Sequence, residues 1–206
     1  MSSENKLSYY MSKSKTLENL QFNKKVRIAI LSSFTINGLE ETLRVKCAEK
    51  KIQCLTYVSG YNQYNQDILK KDSELYSFSP DITFIILDTR SVLGNLFYFP
   101  YSISSEQRKD YMQKKANEII NLARQFVKNS KSKLIISNFC VPIYSPYGIF
   151  ETKTDYGLKE MVNDLNLTLV KNLRNEYSVY VDDFNGFVLV VLFFWWLCDF
   201  QCMHMV

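Results

Sequence analysis

Histidine is almost missing from this 206-residue chain, whose one imidazole is His204. A serine or cysteine nucleophile activated by imidazole therefore has one candidate base. A His-rich metal site has too few ligands, so no metal is expected to be held here. The five cysteines, Cys47, Cys54, Cys140, Cys198 and Cys202, are odd in number and include no C-x-x-C pair. That usage predicts reduced thiols in a cytoplasmic protein rather than a disulfide framework. The formal net charge is only +4, and no basic stripe marks a nucleic-acid surface. The start of the chain has no apolar signal core, so secretion is not expected. The longest uncharged apolar run, Phe187–Cys198, has twelve residues, short of the ~20 a bilayer-spanning helix needs. A membrane protein is therefore not expected. The run itself leaves three readings open: a buried last element, a membrane-surface segment, or the scar of a frameshift or premature stop.

What is present reads as an alternation of strands and helices. Residues 1–24 are polar, a mobile arm or a short helix around Ser14–Leu20. Val26–Leu31 is a continuous apolar run suited to a parallel strand buried on both faces. Asn37 and Glu40 form an N-x-x-E start signal for a helix that places Leu39, Leu43 and Cys47 on one face. Ile52–Val58 is the second strand. A turn-rich stretch with one short helix near Asp67 leads to Pro80 and the strand Ile82–Leu87. After the long loop "DTRSVLGNLFYFPYS", Ser104 and Gln107 open a helix with the stripe Met112, Ala116, Ile119, Ala123 and Phe126. Lys133–Ser137 is the fourth strand. A second long aromatic loop precedes a helix marked by Leu158, Val162, Leu165, Leu169 and Leu173. Val179–Val181 begins the fifth strand.

This order predicts an α/β fold, a three-layer open parallel sheet of about five strands. The expected organisation is an arm over 1–24, one α/β domain over 25–186 and an atypical tail over 187–206. Ligands in such folds bind beyond the carboxyl ends of the strands, where both long loops lie.

The stretches "KVRIAILSSFTINGLEETLRVKCAEKKIQCLTY", "GYNQYNQDILKKDSELYSFSPDITFIILDTR" and "VYVDDFNGF" together resemble the N-terminal domain of FkbH-like proteins, in subfamily IIIC of the haloacid dehalogenase superfamily. The resemblance implies an SGNH-hydrolase-like, flavodoxin-like sheet. It also implies a separate phosphatase-like domain that uses Mg²⁺, and a role in loading a glyceryl unit onto an acyl carrier protein. The phosphatase motif D-x-D-x-T/V is not found: Asp182 and Asp183 are followed at the second position by Phe184 and Asn185.

Laid against the G-D-S block of active SGNH enzymes, Ser32 falls at the Gly, Ser33 at the Asp and Phe34 at the nucleophile. Phe34 has no attacking atom. Sliding the register makes Ser33 a weak nucleophile candidate without a base, since Asp199 and His204 do not have D-x-x-H spacing. Gly60 and Asn62 lie where an oxyanion-hole glycine would sit, or in a plain turn. "LDTRSVLG" replaces the G-x-N-D block, and Arg90 there could bind a phosphate or carboxylate, or pair with Asp88. Phe97, Tyr98, Phe99, Tyr101, Tyr144 and Tyr147 could line a pocket or a protein interface.

The function expected is a non-catalytic positioning domain that assists acyl or glyceryl loading, with an acyl carrier protein as partner. The alternatives are a residual esterase using Ser33 and a truncated product without independent activity.

Overall fold

The computed structural model describes residues 7–17 and 22–186. Phe187–Cys198, with its three readings, and His204 lie outside the described residues, as does the second half of the leading helix expected over Ser14–Leu20. The helix observed there lies earlier, α1 over Leu7–Lys15.

β1 spans Lys24–Ser32. Its stretch Ile28–Leu31 is almost completely buried, as a continuous apolar run requires of a strand covered on both faces. β2 (Ile52–Val58) pairs with it in parallel from Lys24 opposite Ile52 to Ile30 opposite Val58. β3 (Ile82–Ile86) pairs on the other edge, from Ile28 opposite Ile82 to Ser32 opposite Ile86. β4 (Lys133–Ser137) runs parallel to β3, and β5 (Val179–Asp182) follows it. The order β2-β1-β3-β4-β5 is the five-stranded α/β arrangement expected, with its switch point at the carboxyl ends of β1 and β3.

α2 (Leu39–Glu49) packs Leu39, Leu43 and Cys47 against a cluster of Ile28, Ile30 and Cys54. Its start differs from the expectation. Gly38, not Asn37, is the N-cap, at φ 83° and with no side-chain cap bond. That positive φ calls for glycine, and the end of the exposed Leu7 side chain occupies the space a Cβ would take, 2.2 Å from it. Glu40 accepts a bond from Thr56 Oγ1 (2.5 Å), which occupies the carboxylate a capping box would use.

α3 (Tyr64–Leu69) is the short helix expected near Asp67, and α4 (Glu74–Phe78) adds one that the turn-rich composition concealed. The stretch after β3 is not a bare loop. It holds α5 (Thr89–Leu93), α6 (Asn95–Tyr98) and a 3₁₀ turn over Pro100–Ser102. α7 (Ser105–Asn129) opens on the expected reciprocal cap: Ser104 N donates to Gln107 Oε1 (2.9 Å) and Gln107 N to Ser104 Oγ (3.3 Å). Its stripe from Met112 to Phe126 is buried throughout. A 3₁₀ turn over Gly148–Lys153 interrupts the second aromatic loop, and α8 (Leu158–Leu173) buries its five predicted apolar positions.

The chain divides into two compact units. One comprises the residues to Ile86 with Asn121–Ile136 and Glu176–Tyr180; the other comprises Leu87–Ile120, Ser137–Asn175 and the chain from Val181. In the first, fully buried Phe126 stacks on Tyr76 at 6.1 Å. Phe126→Ala is expected to cost about 3–5 kcal/mol, read in urea as a lower midpoint at an unchanged slope.

Candidate functional site

In the first unit, the carboxyl end of β1 turns sharply. Ser33 N donates to Ile86 O (3.3 Å), extending the β1–β3 ladder by one residue. Ser32 Oγ donates to Phe34 O (2.5 Å), a local turn bond typical of serine. Ser32 is 2% exposed and Ser33 1%. A cleft of about 650 Å³ lies beside this turn, lined by Leu7, Ser32, Phe34, Gly38, Ser59 and Tyr61 among others. Ser33, Gly60 and Asn62 are not in that lining.

The segment after β2 is bound into a turn. Gln63 N donates to Gly60 O (3.0 Å), and Asn62 adopts φ 55°. Ser59 Oγ (2.6 Å) and Tyr57 OH (3.0 Å) both donate to Asp67 Oδ2. Burial, and then this bond to Asp67, push the Tyr57 phenol above its ordinary range. These bonds tie α3 to the end of β2, where Ser59 lines the cleft.

The second unit begins at Leu87 and holds Asp88 and Arg90. Asp88 caps α5, accepting from Arg90 N (3.1 Å) and Ser91 N (3.3 Å). Arg90 Nε stands 3.6 Å from the same carboxylate, and the guanidinium lies 5.9 Å from the Phe97 ring. The Arg90 side chain is otherwise open to solvent. Beyond β5, Asp183 accepts from Gly186 N (3.0 Å) and Asn138 Nδ2 (2.8 Å), and these bonds hold it below the usual carboxylate range.

Two residues that the sequence did not single out organise the aromatic loops. Arg108 is 4% exposed and its guanidinium meets only backbone oxygens: Tyr156 O (3.0 Å), Asp155 O (2.7 Å), Ile103 O (2.6 Å) and Pro100 O (3.5 Å). It lies 5.2 Å from the Tyr101 ring. The Tyr101 hydroxyl and Ser145 Oγ both donate to Glu151, and Lys159 N donates to its other oxygen (2.8 Å). Tyr101 also stacks on Tyr147 at 3.8 Å. The loops so fastened leave Phe99 (69%), Tyr144 (75%), Ile149 (85%) and Phe150 (69%) largely exposed. The aromatic content of these loops was readable in the sequence; the buried pair Arg108 and Glu151 carried no motif.

No histidine lies among the described residues, and no three His, Cys, Asp or Glu side chains there converge as metal ligands. No described helix is long and apolar enough to cross a membrane.

A family model described as FkbH, N-terminal domain, matches residues 27–191. No curated protein matches the chain. Among solved structures, it is similar to the N-terminal part of the protein BF1531 from Bacteroides fragilis, which contains a phosphatase domain complexed with Mg. That match has a TM-score of 0.69 at 18% identity and covers 88% of this chain but 46% of that one. It is a likeness of fold, and the chain spans about half of that protein's length. Axe2, an acetylxylan esterase from Geobacillus stearothermophilus, aligns at a TM-score of 0.49 and 13% identity, over 81% of this chain and 80% of Axe2.

Burial alone would raise Glu151, but the bonds from Ser145, Tyr101 and Lys159 N outweigh it and hold the carboxyl below its ordinary value of 4.5. Its contribution to stability is complete above that unfolded value and is lost as pH falls through the folded one. Acid titration of urea unfolding is therefore expected to show a loss of stability below pH 4.5 that Glu151→Gln reduces.

Proposed function

Because this chain belongs to the FkbH N-terminal domain family, we propose that it is a binding and positioning domain without hydrolytic chemistry of its own. Its partner on this reading is an acyl carrier protein, which it holds while a glyceryl or acyl unit is loaded. The observation that carries the reading is a contrast between two places. The serines at the end of β1, where a hydrolase of this fold would keep its nucleophile, are both buried, and the Ser32 hydroxyl is spent on Phe34 O. The loops fastened by Arg108 and Glu151 instead turn several large apolar side chains to solvent.

Attack by a serine oxygen needs an exposed hydroxyl and a base placed to take its proton. Burial of Ser33 argues against the first requirement. Exposed aromatic residues on a rigid support suit protein recognition, since they bury much area at small entropic cost. Arg90 adds a solvent-facing cation that can meet a phosphate or carboxylate on the carrier. Magnesium belongs, on the family resemblance, to a separate phosphatase-like domain. The described residues do not fit such a site: their acidic groups do not converge, and Asp183 is engaged by Asn138 and Gly186. No step of the proposed function passes through the metal.

The test is capture of a purified acyl carrier protein, loaded with a glyceryl or acyl group, on the immobilised full chain. Saturable binding is expected, weakened roughly tenfold or more by combining Phe99→Ser with Tyr144→Ser. Circular dichroism checks that the variant stays folded. Equal binding by the variant, or none by the parent chain, overturns the reading.

A further inference from the structure

The sequence contains two Asn-Gly pairs, Asn37-Gly38 and Asn185-Gly186. Such a pair can react with itself. With no Cβ on the glycine, its backbone nitrogen can approach the side-chain carbonyl of the asparagine before it. Closing the five-membered ring takes only rotation about the asparagine χ1 and ψ, so the hydrogen bonds that resist rotation decide which pair reacts. The two pairs differ in this respect. Asn185 is fastened at every point: its N donates to Asn138 Oδ1 (2.7 Å), its Oδ1 accepts from Val141 N (2.8 Å), and Gly186 N donates to Asp183 Oδ1 (3.0 Å). Asn37 is exposed, and among the described residues neither its side chain nor Gly38 N makes a hydrogen bond. The turn that carries this pair is closed by Leu39 N donating to Ile36 O (3.3 Å). Gly38 is gripped through its carbonyl, by Thr42 N (3.0 Å) and Thr42 Oγ1 (2.7 Å), and its nitrogen is left over. Leu7 covers the Cα of Gly38, on the side away from solvent-facing Asn37 only in the sense that Asn37 itself stays exposed.

We propose that Asn37 is a site of self-modification, deamidating through a succinimide to aspartate and iso-aspartate, while the fold preserves Asn185. Gly38 N gives up its proton to hydroxide and attacks Asn37 Cγ. The bond from Cγ to the side-chain nitrogen breaks, and ammonia leaves with a proton taken from water. Water then opens the ring at one of two carbonyls. Opening at Cγ gives aspartate on an unchanged main chain. Opening at the main-chain carbonyl gives iso-aspartate, whose main chain runs through Cβ and Cγ. The sum is one water consumed and one ammonia released, with no oxidation or reduction. Asn37 lines the cleft beside Ser32, together with Glu40 and Glu41. Either product therefore adds one negative charge to that cleft, next to the entry of α2, and iso-aspartate also lengthens the turn that leads into the helix. The inference does not rest on the proposed carrier-binding role.

The experiment ages the full chain in mildly alkaline buffer, folded and in urea, and maps amide-to-acid conversion by mass against unaged samples digested in parallel. The tryptic peptide 28–44 holds Asn37 as its sole asparagine, and fragment ions of 175–206 report Asn185. In urea the two are expected to convert at similar rates. In the folded chain Asn37 is expected to convert at least roughly tenfold faster than Asn185, whose ring closure must first break several hydrogen bonds. A smaller folded-state ratio overturns the proposal, as does an Asn37 that converts in urea and not in the folded chain. An isoaspartyl methyltransferase with labelled S-adenosylmethionine is expected to label peptide 28–44 of the aged parent and not that of aged Asn37→Gln. Absence of label from the parent, or its persistence in the variant, also overturns the proposal. Mapping the parent chain decides the matter even if the variant fails to fold.

Discussion

The two-sided burial of β1 is the constraint from which the rest follows. Its hydrogen-bond groups are shared by β2 on one edge and β3 on the other, and Ile28–Leu31 vanish from solvent. A strand in that position cannot slip by a residue without sending apolar side chains to the wrong face. The ladder carries on to Ser33 N, which still bonds Ile86 O. The residues that follow the strand are thereby held as an extension of the sheet before the chain turns. Ser32 and Ser33 both stay buried at this turn, and the Ser32 hydroxyl bonds to Phe34 O.

The aromatic loops of the second unit are held by rigidity of a different kind, supplied by buried polar groups. A guanidinium withdrawn from water is costly unless its donors are met. Arg108 meets backbone oxygens on two separate segments, 100–103 and 155–156, so the same bonds that satisfy it fasten those segments. Glu151 does the corresponding work with Tyr101, Ser145 and the first turn of α8. The charge of each group is absorbed by backbone dipoles and hydroxyls, leaving the apolar side chains of the loops free to face outward.

Much of the fold was legible in the sequence because it follows from local rules. β2 and β4 coincide with their apolar runs, and α7 begins on the Ser104–Gln107 pair that its pattern specifies. The failures have physical causes. Asn37 looked like a cap, but the helix is entered through the next residue at φ 83°, a conformation that favours glycine. The stretch after β3 looked like a loop because its helices are four or five residues long; the Asp88 cap and Gly94 at the end of α5 were the signals that could have found them. Arg108 and Glu151 could not have been found, since their partners lie from five to fifty residues away and most are backbone atoms.

Burial of Ser32 and Ser33 leaves neither hydroxyl at the end of β1 open to attack a substrate. A fluorophosphonate probe, which reacts with activated and accessible serine hydroxyls, tests this directly by mass mapping of the treated protein. The account predicts no adduct on Ser32 or Ser33 after prolonged exposure. A stoichiometric adduct on Ser33, abolished in Ser33→Ala, would contradict it.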